Sequence, residues 1–310
     1  MDTTQQRLKR LLWGLFLTGL SSGVFAQQPL YDAYGFNPLA LNPAFAGAKG
    51  YFNLNAVLFN QLNGTIRPNQ IGQVLSAEGT LANGRTGWGF QGFNTNLANF
   101  PSSGLTLGAA HSWNLANGWQ VRAGVQGVGR FRTFFNSGFD NRRVVDPSFG
   151  LGGMLVRDHF MIGLSKPSIG RRQPLFDPRI HPTILQIGYL LKSGDSNAWY
   201  VGGTYWRGEK GSISPQAVHV DTKFWIGNRL GLGGSVRYEQ NEALAQPWKM
   251  VGWGEFRVSE GIRLGIAYDP RPQSVYPQNF QTPNTPGQFQ IFFRYEGAKA
   301  GNQTTIFDFM

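Results

Sequence analysis

From residue 50 onward, apolar residues alternate one by one with small or polar ones. Leu230, Leu232, Val236 and Tyr238 share one parity, and Gly231, Gly233, Ser235 and Arg237 share the other. The pattern returns in Ile262, Leu264, Ile266 and Tyr268 against Arg263, Gly265, Ala267 and Asp269. It closes in Phe289, Ile291, Phe293 and Tyr295 against Gln288, Gln290 and Arg294. Successive side chains of a strand point to opposite faces, so period two with one apolar parity predicts strands with one apolar face. The segments are 50–60, 70–80, 85–94, 103–113, 119–132, 148–157, 159–166, 183–192, 197–207, 214–226, 228–239, 247–258, 261–270 and 286–296. That makes fourteen, an even number, each near the 9–11 residues a tilted membrane strand needs.

The connections sort by parity. After even-numbered strands they are short, as at 81–84, 114–118, Asp158, 193–195, Gly227 and 259–260. After odd-numbered strands most are longer: 61–69, 95–102, 133–147, 167–182, 208–213, 240–246 and 271–285. Outer-membrane barrels pair tight periplasmic turns with long external loops in this rhythm. A soluble sandwich has no reason to sort its loops, and a propeller would repeat a blade motif. The expectation is an all-β transmembrane antiparallel barrel of about fourteen strands, occupying 50–296, with both termini periplasmic.

Composition agrees. Charged residues make up 15% of the chain, against about 25% in soluble domains, while mean hydropathy is −0.26. A bundle of apolar helices would be far more hydrophobic. Tryptophans such as Trp88, Trp113, Trp199 and Trp248 fall in or at the ends of segments, where interfacial girdles are expected. There is no cysteine, which excludes disulfides, thiolate metal sites, a cysteine nucleophile and a lipoprotein anchor. Arg7, Lys9 and Arg10 precede an uncharged run at 11–20 and then small residues up to Ala26. This predicts a signal peptide over 1–26, too short in its apolar part to span a membrane.

Little in the chain suggests catalysis. His111, His159, His181 and His219 are scattered, with no strand–turn–helix nucleophile elbow and no metal-ligand spacing. No catalytic residue, metal or cofactor is expected. Net charge is +11. The inward parity carries Arg122, Arg130, Arg132, Lys223, Arg237, Lys249, Arg257, Arg263 and Arg294, against Asp221, Glu239, Glu255 and Asp269. Such a lumen suits anionic solutes or an acidic partner segment. Alternatively, its arginines and carboxylates satisfy each other while outer-loop cations such as Arg67, Arg171 and Arg179 meet lipopolysaccharide. Nucleic acid is not an expected partner, because the charge would lie inside the barrel or outside the cell.

Between the signal peptide and the first strand, at 27–49, lies a segment containing Phe36-Asn37-Pro38 and Asn42-Pro43-Ala44-Phe45-Ala46-Gly47. Two Asn-Pro steps five residues apart imply consecutive turns, and Gly47 permits a positive φ before the barrel. The segment is expected to be structured, either periplasmic or inserted in the lumen. The tail at 297–310 reads as a strand end or an extension.

That motif resembles the opening of the PorP/SprF family of outer-membrane proteins of the type IX secretion and gliding machinery. The matching residues are Phe36, Asn37, Pro38, Asn42, Pro43, Ala44, Phe45, Ala46 and Gly47. The resemblance implies a non-enzymatic outer-membrane partner of periplasmic ring components. It also implies service to a large secreted adhesin through that adhesin's C-terminal domain, with the motif in partner binding. The chain departs from the family's Arg-x-Gln-Trp element, carrying Phe59, Asn60, Gln61 and Leu62. A passive channel for anionic or hydrophobic solutes is the alternative.

Overall fold

A computed structural model describes residues 37–61, 71–97, 100–135, 141–170, 182–193, 197–208, 216–240, 248–270, 288–298 and 305–308. The expected signal peptide, Phe36, His181 and most of the long connections lie outside the described residues. Fourteen antiparallel strands form one closed barrel. They are β1 (Asn53–Gln61), β2 (Ile71–Thr80), β3 (Thr86–Leu97), β4 (Phe100–Asn114), β5 (Gln120–Phe135), β6 (Asn141–Arg157) and β7 (Phe160–Ile169). The second half comprises β8 (Thr183–Ser193), β9 (Asn197–Arg207), β10 (Gln216–Ile226), β11 (Leu230–Gln240), β12 (Trp248–Ser259), β13 (Ile262–Asp269) and β14 (Gln288–Glu296). Every strand pairs with its sequence neighbours, and β1 closes on β14 from Asn53↔Glu296 to Gln61↔Gln288. Closure leaves no open sheet edge over those rows, as hydrocarbon requires.

The burial pattern is inside out. Leu107 is 65% exposed on the outer wall, whereas Arg263 and Arg294 are each 2% exposed in the lumen. Outward apolar residues therefore face lipid. Aromatic groups bound this band: Phe52 with Trp88 and Tyr295, and Trp119 with Phe160, stand at the short-turn end. Tyr238 with Trp248, and Tyr268 with Phe289, stand at the other end. On β12, Trp248 and Phe256 are eight residues apart, about 20 Å along the axis at the usual ~40° tilt.

Two expected loops are shorter than the spacing predicts. The stretch 133–147 lies mostly in strands, because β5 runs to Phe135 and β6 starts at Asn141. Likewise, 95–102 is largely taken up by β3 and β4, which pair up to Leu97↔Phe100. Pro147 lies inside β6, although proline ordinarily argues against a strand interior. Among the described residues the β6–β7 ladder begins only at Phe149, so at Pro147 β6 has a ladder on one side and the missing N–H is tolerated.

Candidate functional site: a lumen closed by the chain's own ends

The Asn-Pro motif lies inside the barrel. Pro38–Ala40 and Pro43–Phe45 each form one 3-10 turn. Proline suits the first position of such turns because its missing N–H would have no partner there. The Asn42 carboxamide caps the second turn, its oxygen accepting from the Ala44 N–H at 2.9 Å, while its Nδ2 donates to the Gly153 carbonyl at 3.3 Å. Asn37, Pro38, Asn42, Pro43, Ala44 and Phe45 are all buried. Gly47 has φ +64°, and a methyl there would meet the backbone of Gly79 and Gly87. Only glycine fits both demands.

This plug climbs one hydrogen-bonded row of the wall. The row runs Gly87↔Ala110↔Gly124↔Gly152↔Ser165↔Ile184↔Trp206↔Ala217 across β3 to β10. Ala46 and Gly47 lie on Gly87, Pro43 and Ala44 on Gly124, and Asn42 on Gly152. The Ser165 hydroxyl donates to the Leu41 carbonyl at 2.6 Å, and Leu41 packs with Ile184, Trp206 and Ala217. Side chains at Gly87 or Gly124 would occupy the space the plug backbone fills, and one at Gly152 would displace the Asn42 carboxamide.

Polar side chains of the wall hold the plug. Arg122 donates through Nε to the Ala44 carbonyl at 3.0 Å and through a terminal nitrogen to the Ala46 carbonyl at 2.8 Å. Glu78 accepts from the Gly47 N–H at 3.2 Å and from Asn53 Nδ2 at 3.0 Å. Lys49 pairs with Glu296 at 3.4 Å. Burial pushes the Lys49 ammonium down to about 8, Arg294 adds to that, and Glu296 opposes it. The C-terminal turn Ile306–Asp308 is buried beneath: Phe307 meets Phe45 edge-on at 5.9 Å, and Tyr51 Oη donates to Asp308 Oδ1 at 2.9 Å. Burial, reinforced by Glu296 and Asp308, pushes the Tyr51 phenol well above its ordinary range.

Of the nine basic residues expected on the inward parity, all but Arg132, whose side chain lies outside the described residues, can be placed. Arg263 meets Glu296 at 2.9 Å and Glu255 at 3.8 Å, and Arg294 reaches Glu255 at 3.9 Å and Asn55 at 2.9 Å. Lys249 pairs with Asp269 at 2.7 Å, and Lys223 pairs with Glu255. Arg237 lies over the Trp206 ring at 5.4 Å, while Lys223 and Arg263 both lie against Trp225. Arg130 stands opposite Asp146 on β5/β6, Arg122 holds the plug, and Arg257 is half-buried opposite Arg263. Sequence reasoning missed Glu78, Asp146, Glu296 and Asp308 as inward acids. Parity along β14 would have placed Glu296 beside Arg294, but the segment was read as ending there.

Aromatic rings fill more of the lumen. A methyl at Gly72, Gly104 or Gly265 would overlap the ring of Phe59, Phe93 or Phe292 respectively. Phe59, Phe93 and Phe292 pack with Val57, Val74, Val251, Ala267 and Trp253 in one apolar cluster. Glycine opposite an aromatic lets the ring lie flat on the neighbouring strand. His111 is elsewhere, its Nδ1 at 3.0 Å from Thr86 Oγ1 and its ring against Trp113. It does not meet the buried His219.

The wall and its inverted polarity define an outer-membrane β-barrel protein. The chain matches the model of the type IX secretion system membrane protein PorP/SprF family over residues 23–295 and belongs to that family. Family and fold together point to a non-enzymatic outer-membrane protein. No curated protein matches the chain. Among solved structures it is similar to the Acinetobacter baumannii outer membrane protein Omp33, at TM-score 0.52 and 8% identity, over 80% of this chain and 98% of that one. A Pseudomonas aeruginosa FadL homologue gives TM-score 0.47 and 10% identity over 89% and 100% of the two chains. The Pseudomonas putida toluene transporter TodX gives 0.48 and 14% over 84% and 93%. The Omp33 likeness shows the barrel fold alone.

Proposed function

We propose that this barrel is a non-catalytic anchor of the type IX secretion and gliding machinery. It binds periplasmic ring components at its short-turn end and serves the C-terminal domain of a large secreted adhesin. Family membership carries this reading. The arrangement of the chain ends supports it. With 37–49 and 305–308 packed in the lumen and the inward cations facing carboxylates, the interior suits a sealed scaffold more than a solute path. The short turns face the periplasm in this reading, together with both chain ends, and the motif shapes the periplasmic face through the plug. Cross-linking in the native host, followed by purification of the intact protein, tests the assignment. Ring components or a large adhesin are expected among the cross-linked species. Recovery of the barrel without either one overturns it.

A further inference from the structure

The tail turn sits at the short-turn end of the lumen as a bound peptide does. Ile306 and Phe307 are buried among Met154, Met161, Leu190, Tyr200 and Trp225, inward residues toward the short-turn ends of β6 to β10. Asp308 is held on three sides. Its Oδ1 accepts from Tyr51 Oη at 2.9 Å, its Oδ2 accepts from the Thr305 N–H at 2.6 Å, and its carbonyl accepts from Arg263 at 3.1 Å. An acid reaching back three residues to a backbone N–H is one half of a capping box, so the turn is shaped by its own side chains.

Three bridges join this turn to the plug. The first is the edge-on contact of Phe307 with Phe45. The second is Tyr51, two residues beyond Lys49, whose hydroxyl holds Asp308. The third runs through Arg263, which donates to the Asp308 carbonyl and meets Glu296, the partner of Lys49. Apolar, hydrogen-bonded and ionic contacts thus all cross one boundary. By contrast, the sequence that leads from β14 to the turn, residues 297–304, has no apolar side chain larger than alanine. Among the described residues the apolar hold of the tail therefore lies in Ile306 and Phe307.

We propose that the short-turn mouth is a peptide site for an apolar–aromatic–acid turn. Residues 305–308 fill it as a tethered ligand, and the bound turn latches the plug. A ligand tethered through a few residues is held at an effective concentration of roughly millimolar, so a site of modest affinity stays filled. Each chain end forms part of the other's seat, so their docking is linked, and loss of one weakens the other by the same factor. Whatever withdraws the tail loosens the plug. The latch is independent of the secretion reading, because it is measured on the purified protein with no partner present.

Full-length protein in detergent, digested briefly at neutral pH, provides the test. Phe307→Ala removes a buried ring and is expected to raise the rate of cleavage within 37–50 about tenfold or more. Asp308→Ala, which removes the Tyr51 and Thr305 contacts, acts in the same direction. A synthetic peptide of residues 304–310, added at roughly millimolar concentration to the Phe307→Ala protein, restores slow cleavage, whereas the same peptide carrying Phe307→Ala does not. Reciprocity adds a check. Arg122→Met, which releases the plug carbonyls, speeds hydrogen exchange at 305–308 as well. Heat-modifiable migration on gels reports that each variant barrel is folded. Plug cleavage at the wild-type rate in the tail variants overturns the latch, and failure of the peptide to restore protection overturns the site.

Discussion

Single residues decide how firmly the plug sits. Arg122 satisfies two plug carbonyls at once, so Arg122→Met leaves both buried without their donor. The expected cost to plug docking is about 2–4 kcal/mol. Hydrogen exchange at residues 38–50 should rise while the strand amides stay protected. Lys49 gives docking a pH dependence. Its docked value of about 8 lies below the ordinary 10.5, so the released state binds more protons between those values. Docking therefore strengthens as pH rises from 8 to 10.5, by an amount on the order of 3 kcal/mol. An alkaline-tolerant protease should cut the segment 37–50 more slowly at pH 10.5 than at pH 8, and Lys49→Met should flatten the difference. At this scale the sequence was only partly informative. Asn42 and Gly47 announced turns, but nothing local revealed that Arg122, some eighty positions away, would hold the carbonyls between them.

Elements were the most legible level. Period two located all fourteen strands, because every strand has one face in lipid and one in the lumen. The exceptions were the long-loop ends of β3 and β4 and of β5 and β6, where polar residues and prolines such as Pro101 and Pro147 imitate a loop. The glycine row was not legible either, because Gly87, Gly124 and Gly152 become neighbours only when strands pair in register. Read singly, each glycine is indistinguishable from one that admits a ring, as Gly72 does for Phe59. Gly124→Leu separates the two roles. Its side chain would take the place of Pro43 and Ala44 and leave the β5 ladder intact. The expected variant is a heat-modifiable barrel with a plug cut readily by protease, and a plug as protected as in wild type would refute the row as its seat.

Across the whole molecule, the charge ledger changes meaning. The sequence showed more cations than acids on the inward parity, which suggested a lumen attractive to anions. The folded chain brings Glu78 and Glu296, both just before or after turns, into contact with the plug and the arginines. Buried cations of this kind persist because carboxylates and rings receive them. In planar bilayers the intact protein is expected to show no sustained conductance, whereas deletion of 37–49 should produce openings. Steady current through the intact protein would show that the chain ends do not seal it.

The oblique seat of the plug has one more consequence. Because the row crosses eight tilted strands, its residues align only if every intervening pair has the right register. A slip of two residues in one pair keeps all side chains on their proper faces but moves the next glycine about 7 Å along its strand. Lipid would tolerate that error, since leucine would still face outward. The plug would not, because a side chain would stand where its backbone must pass. The segment between Leu41 and Gly47 thus works as a gauge laid across the finished wall, fitting only a barrel assembled without a slip.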